Sequence, residues 1–175
     1  MSTGPERSGP ATRWLFRVLA AFNVAGALLV IALLVIINTE SLSRTFLSVS
    51  FLGVTEVVEL SLVAIVFLQL GDAIRSGRLT RSDGLLTLLG ERAPRLRASL
   101  HVLFDLMAAA FMALIVAGGI PRAIESFQRG EFKGTAQLFT VPEWPVKLII
   151  VAGAIAAILA FLVSAWRELR RVTQN

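Results

Sequence analysis

Four long apolar runs restrict this chain to a membrane-spanning fold. They cover residues 15–37, 51–70, 98–120 and 146–166. A helix rises about 1.5 Å per residue, so about 20 residues cross a hydrocarbon layer about 30 Å thick. The runs are apolar on every face, whereas membrane-spanning strands alternate apolar with polar residues. We therefore predict an all-α integral membrane protein with four transmembrane helices.

Composition agrees with this fold class and narrows the possible functions. Of the 175 residues, 55% are hydrophobic and only 17% are charged. The net charge of +5 resides in arginines beside the apolar runs, which argues against a nucleic-acid partner. With no cysteine and a single histidine, His101, the chain lacks a disulfide framework and the ligands of a metal cluster. We expect neither a metal site nor a cofactor.

The distribution of basic residues predicts the orientation of the helices. Lysine and arginine resist translocation, so they concentrate in cytoplasmic segments. Of the 17 basic residues, twelve lie on the side of the two termini: Arg7, Arg13, Arg17, Arg75, Arg78, Arg81, Arg92, Arg95, Arg97, Arg167, Arg170 and Arg171. The opposite side carries five: Arg44, Arg122, Arg129, Lys133 and Lys147. Both termini should therefore face the cytoplasm.

The polar flanks divide the chain into one domain and two tails. Residues 1–13 are rich in Gly, Pro, Ser and Thr, a composition that predicts a disordered cytoplasmic tail. Residues 14–171 are expected to form the four-helix transmembrane domain, and residues 172–175 a short cytoplasmic tail. The first apolar run is too long for the core of a secretory signal peptide, so we expect it to be retained.

Two loops carry patterns typical of short interfacial helices. Ser82 and Asp83 can cap one helix over residues 82–89, whose leucines would lie along the cytoplasmic interface. Pro121 can begin another that ends near Gly130. Trp144, at the start of the last span, is expected at the level of the lipid headgroups.

Polar residues within the spans are candidates for function, because polar groups are costly in hydrocarbon. Asn23, His101 and Asp105 lie toward the cytoplasmic side, and His101 and Asp105 are one helical turn apart. A proton or ion relay would need a longer chain of such groups. We favour a structural, hydrogen-bonded role for these three residues.

Glu56 and Glu59 form a polar stripe on the outer half of the second span. Three roles are open: contact with another subunit, binding of a cation, or an internal pair, for example with Lys147. Acid-base catalysis is a weak alternative, because no nucleophile, second base or metal-ligand set accompanies the two carboxylates. We predict no catalytic residues.

Small residues at 108–110 and 152–157, including Gly153, should let helices pack closely.

The order of these features resembles the small membrane subunit, of DctQ type, of tripartite ATP-independent periplasmic (TRAP) transporters. The most characteristic stretch is residues 55–86, TEVVELSLVAIVFLQLGDAIRSGRLTRSDGLL. It resembles the family's Glu-Leu start to the second helix, a Phe-rich end running into Gly, a basic turn and a short Asp-Leu-Leu segment. Residues 97–105, Gly130 with Glu131, and the Val-Pro-Glu-Trp-Pro entry to the last span at 141–145 extend the resemblance.

The resemblance implies a scaffold subunit of a sodium-driven uptake system for organic acids in the bacterial inner membrane. Its partners would be a large membrane subunit that transports the substrate, a periplasmic substrate-binding protein, and the phospholipids around it. Glu56 and Glu59 would then face the large subunit. The residues expected to help dock the binding protein are Arg122, Arg129, Lys133 and Glu143.

Two functions from other classes stay open. One is a self-sufficient four-helix channel or exporter, in which Glu59 would line the pore. The other is a small membrane-embedded lipid enzyme, which would need a cluster of His, Asp, Arg or Tyr at one interface; the chain has no Tyr and one His.

Overall fold

A computed structural model describes residues 10–49, 51, 53–77, 94–133 and 141–173. Its helices are α1 (Pro10–Leu47), α2 (Val54–Arg75), α3 (Pro94–Arg129) and α4 (Trp144–Thr173), and its short antiparallel strands are β1 (Phe132–Lys133) and β2 (Val141–Pro142). All four helices are long and apolar enough to cross a membrane. The predicted all-α fold with four spans is therefore confirmed. The expected interfacial helix at 82–89 lies outside the described residues, as do residues 1–9 and 174–175 of the predicted tails.

The four helices alternate in direction, which gives the molecule two polar ends. We call the end with the 48–53 and 130–143 connections the loop end. The opposite end, where α1 begins and α4 finishes, is called the termini end.

Helix α1 extends beyond the predicted span at both ends. It begins at Pro10, within the segment predicted to be a disordered tail, and ends at Leu47 rather than near residue 37. Past the apolar run its polar side chains bond within the helix: the Asn38 amide donates to the Leu34 carbonyl at 2.6 Å, and Arg44 pairs with Glu40 at 2.8 Å. At about 1.5 Å per residue its 38 residues span about 57 Å, more than a bilayer about 40–45 Å thick including headgroups.

Helix α3 runs without interruption through Pro121. The prediction that Pro121 begins a separate helix is wrong. Proline removes one backbone hydrogen bond and crowds the preceding turn, but membrane helices tolerate it. That turn contains Gly118 and Gly119, whose backbones have more freedom to adjust to the ring than those of larger residues. The helix ends at Arg129, near Gly130 as predicted, and Gly130 has a left-handed φ of 59°.

The helices pack in a row, in the order α1, α2, α4, α3. In the apolar windows of the central helices, 33% of the residues of α2 and 44% of those of α4 are buried, against 11% for each of α1 and α3. The flanking helices therefore expose long apolar faces, including Leu34, Val35, Phe111 and Leu114. Such faces are stable only in hydrocarbon or against another apolar protein surface.

The contact between α2 and α4 depends on small residues. Ala154 and Ala157 are fully buried. A Cβ on Gly153 would lie 2.5 Å from the carbonyl oxygen of Phe67, so the two backbones touch at this point. The predicted role of Gly153 in close packing is confirmed, and it follows from the absence of a side chain.

Candidate functional site

Lys147 is the centre of an ion network at the loop end. Its ammonium lies 2.7 Å from the Glu131 carboxylate and 3.1 Å from that of Glu143. The hydrogen bond from Lys147 holds the pKa of the Glu131 carboxyl below its ordinary value. Phe127 and Trp144 pack edge to face beside this network, with ring centroids 5.5 Å apart. These contacts tie the end of α3 to the start of α4.

The β1–β2 pair is anchored at the same place. Phe132 pairs with Pro142, and Lys133 with Val141. The Glu143 amide also donates to the Glu131 carbonyl at 3.2 Å. The backbone on both sides of the 134–140 segment is thus held next to the Lys147 network.

Lys133 links this β pair to α2. Its ammonium lies 2.7 Å from Glu59 Oε1, with 61% of the Glu59 side chain exposed. Glu56, one turn earlier on α2, is half-buried and forms no ion pair with any residue that the structure describes. The Glu59 carboxylate therefore reaches the surface of the helix row, whereas Glu56 is only partly exposed.

The structure brings together some of the residues predicted for partner contact and separates others. Glu59 meets Lys133 rather than Lys147, the partner considered from the sequence. Arg129 pairs with Glu125 on the exposed side of α3, at 2.9 Å. Arg122 points elsewhere and lines a groove between α3 and α4. The predicted docking residues Arg122, Arg129, Lys133 and Glu143 all lie at the loop end.

A second polar cluster joins α1 to α2 near the termini end. The Asn23 amide donates to Asp72 Oδ2 at 3.1 Å, while Asp72 Oδ1 lies 3.0 Å from the Arg75 guanidinium. Asp72 is 4% exposed. Sequence reasoning placed Asn23 at the depth of Asp105 and did not single out Asp72. The spacing of Asp72 and Arg75, one turn apart, was the pattern that could have drawn attention to it.

Aromatic rings complete the termini end. The guanidinium of Arg75 lies 5.1 Å from the centre of the Phe16 ring, and that of Arg167 lies 4.8 Å from it. Both distances are within the range of a cation–π contact. Phe16 thereby connects the ends of three helices, α1, α2 and α4.

The His101 to Asp105 pair that the sequence permitted lies within α3. His101 Nδ1 is 3.4 Å from Asp105 Oδ2, and Asp105 is 1% exposed. The Asn23 amide binds Asp72 instead, so Asn23 and Asp105 belong to separate clusters. Their predicted structural role stays a prediction.

Glu40 is a further polar residue that the sequence analysis missed. Its side chain accepts a hydrogen bond from the Phe51 amide at 2.8 Å in addition to its pair with Arg44. Ser43 contributes a second brace, since its hydroxyl donates to the Val49 carbonyl at 3.2 Å. These bonds fix the connection from α1 to α2. No periodic pattern marks them, because they depend on how the chain turns after Leu47.

The clusters hold helices together in the described part of the chain. Among those residues, no three of His, Cys, Asp and Glu come close enough to hold a metal ion. The carboxylates at the loop end are bound by lysine or arginine or lie at the surface. These contacts form a charged end, held together by ion pairs and hydrogen bonds, on a row of membrane helices.

Four apolar helices with polar clusters at both ends define a multi-pass membrane protein. The model of the family described as "Tripartite ATP-independent periplasmic transporters, DctQ component" matches residues 33–171. The chain belongs to this family and is a small membrane component of a TRAP transporter, as its resemblance implied. No curated protein and no solved structure matches it.

Proposed function

We propose that this chain is the scaffold of a sodium-driven TRAP transporter for organic acids in the bacterial inner membrane. In this role it binds the large transport subunit through Glu56 and Glu59 and presents its loop end to the periplasmic binding protein. Both termini then lie in the cytoplasm, in agreement with the excess of arginine at the termini end.

The observation that carries this proposal is the surface position of the Glu59 carboxylate. A carboxylate on an apolar helix is costly against lipid, even when one lysine neutralises part of its charge. Lys133 is itself on the β1–β2 pair, so the pair covers one side of Glu59 and leaves 61% of its side chain exposed. A second polypeptide that covers this face would offset the cost.

Copurification of the large subunit from detergent tests this interface. We expect Glu59→Ala to reduce the amount of large subunit recovered several-fold. Glu125→Ala is the matched control, because Glu125 is also an exposed loop-end carboxylate paired with a basic residue, but on α3. Recovery equal to wild type for Glu59→Ala would refute the interface.

A second variant separates the two roles of Glu59. If Glu59 acts only by anchoring the β1–β2 pair, Lys133→Ala should reduce recovery as much as Glu59→Ala does. If Glu59 contacts the large subunit itself, its loss should have the larger effect.

Transport in vesicles tests the rest of the proposal. Vesicles containing this chain, the large subunit and the binding protein should take up an organic acid only with an inward sodium gradient. Charge reversal at Arg129 or Glu143 should raise the concentration of binding protein needed for half-maximal uptake. Uptake by this chain alone would instead support the channel or exporter alternative.

A further inference from the structure

A groove of about 440 Å³ opens between α3 and α4 toward the loop end. Leu114, Ile115, Gly118 and Ile150 form its deeper, apolar part, and Arg122 and Lys147 lie nearer the loop end. This volume falls within the range of small-ligand sites, roughly 300–1,000 Å³. The groove lies on the side of the helix row away from the contact between α1 and α2.

The floor of the groove is open because of one glycine. A Cβ built on Gly118 would have no atom within 4 Å, whereas one on Gly119 would lie 3.0 Å from Val151 Cγ2. Gly119 therefore faces the packed contact with α4, and Gly118 faces empty space. Since Gly118 is helical, a larger side chain there would fill the groove without a backbone penalty from φ.

The two charged residues that line the groove are both cationic. Lys147 is held from the loop side by Glu131 and Glu143, neither of which lines the groove. Arg122 lies one turn beyond Gly118 and forms no ion pair within the described part of the chain. A guanidinium in this position can donate two parallel hydrogen bonds to a phosphate.

The groove becomes less polar with depth in the membrane, as a phospholipid does from its phosphate to its acyl chains. Trp144 is expected at the headgroup level, and Lys147 follows it by three residues, about 4.5 Å along the helix. The cations therefore lie near the phosphate region, and the apolar floor lies in hydrocarbon. A phosphate near the cations and an acyl chain along the floor match both parts.

We propose that this groove binds an anionic phospholipid, with its phosphate on Arg122 and Lys147 and one acyl chain over Gly118. A lipid with a net negative charge is favoured by the positive charge of Arg122, while the Lys147 ammonium, already bound by Glu131 and Glu143, adds a hydrogen-bond donor. The site is separate from the Glu59 face assigned to the large subunit, and its existence does not depend on that assignment.

Lipid titration of the purified full chain tests the site. Native mass spectrometry in a neutral detergent would measure retention of phosphatidylglycerol, with phosphatidylcholine and inorganic phosphate as comparison ligands. Arg122→Gln should weaken phosphatidylglycerol binding about tenfold or more, as expected for the loss of charge-assisted hydrogen bonds. Gly118→Leu should weaken it similarly by filling the groove, and Gly118→Ala less.

Arg44→Gln is the matched control, because Arg44 is an exposed loop-end arginine on α1, outside the groove. Its affinity should stay within about twofold of wild type, a small change for a surface position. Helical content by circular dichroism and elution volume check that each variant is folded.

Four outcomes would overturn the proposal. Equal affinity of all variants for phosphatidylglycerol would place the lipid elsewhere, and equal retention of phosphatidylcholine would remove the role of charge. Phosphate binding as tight as that of the lipid would indicate a plain anion site. If the groove variants no longer copurified with the large subunit while their lipid binding stayed unchanged, the groove would be a contact with that subunit.

Discussion

The Lys133 ammonium lies 2.7 Å from the Glu59 carboxylate and connects the β1–β2 pair to the start of α2. This pair joins a residue predicted to face the large subunit to one predicted to face the binding protein. The ion pair lies at the surface, with 35% of the Lys133 side chain and 61% of the Glu59 side chain exposed. It therefore contributes little to the free energy of unfolding. The contact therefore serves to place the β1–β2 pair more than to stabilise the fold.

A double-mutant cycle measures the coupling energy between Glu59 and Lys133. Glu59→Gln, Lys133→Met and the double variant should give a coupling energy below about 1 kcal/mol in the free energy of unfolding. Unfolding of the isolated chain in detergent is the measurement. A coupling of several kcal/mol would mean that the pair is a structural element of the bundle.

Replacing Gly153 should destabilise the central helix contact. In Gly153→Ala the new methyl meets the Phe67 backbone at 2.5–2.8 Å, so α2 and α4 must separate. We expect a loss of about 1–3 kcal/mol in the free energy of unfolding, as for other overpacked sites. Gly118→Ala is the control, because its methyl meets no atom within 4 Å, and it should change stability by less than about 1 kcal/mol. Equal stability of the two variants would contradict the packing of α2 on α4.

Loss of the Asn23 amide should weaken the contact between α1 and α2. Asn23→Leu removes a hydrogen bond to Asp72, which is 4% exposed and has little access to solvent. The expected cost is about 1–2 kcal/mol, because the acceptor is a carboxylate. Asn38→Leu is the matched control, because the Asn38 amide is exposed and bonds only within α1, to the Leu34 carbonyl. Thermal unfolding that is equally affected by both changes would refute a specific role for Asn23.

The Glu131 to Lys147 pair should stabilise the loop end in a pH-dependent way. The hydrogen bond from Lys147 holds the pKa of Glu131 below its ordinary value of 4.5. Because the folded pKa is the lower one, the contribution is complete above pH 4.5 and is lost as pH falls through the folded pKa. Melting temperatures of wild type and Glu131→Gln should differ at pH 7 and converge in acid. A difference in melting temperature that grows toward acid pH would contradict a stabilising role of the ionised Glu131.

Some of the polar contacts could be predicted from spacing along one helix. His101 with Asp105 and Glu143 with Lys147 are each four residues apart, so one helical turn brings them together. Lys133 with Glu59 and Asn23 with Asp72 join separate elements, and no local pattern reveals them. For the same reason Lys147 was considered as a partner of Glu59, although its own loop supplies nearer carboxylates.

Helix boundaries were less predictable than the presence of the helices. Hydropathy marks where a segment leaves hydrocarbon, whereas a helix continues while its backbone groups stay bonded. Helix α1 therefore runs ten residues past the apolar run, to Leu47, and α3 continues through Pro121.

The sequence by itself determined the four spans, their helical form and the transporter family. Runs of this length must cross the bilayer, and a single span can satisfy its backbone hydrogen bonds there only as a helix. The tertiary structure decided the order of the helices in the row, the partner of each charged residue and the groove beside Gly118. These features depend on which faces of separate helices meet, and all four helices are apolar enough for several arrangements until glycines and polar side chains select one.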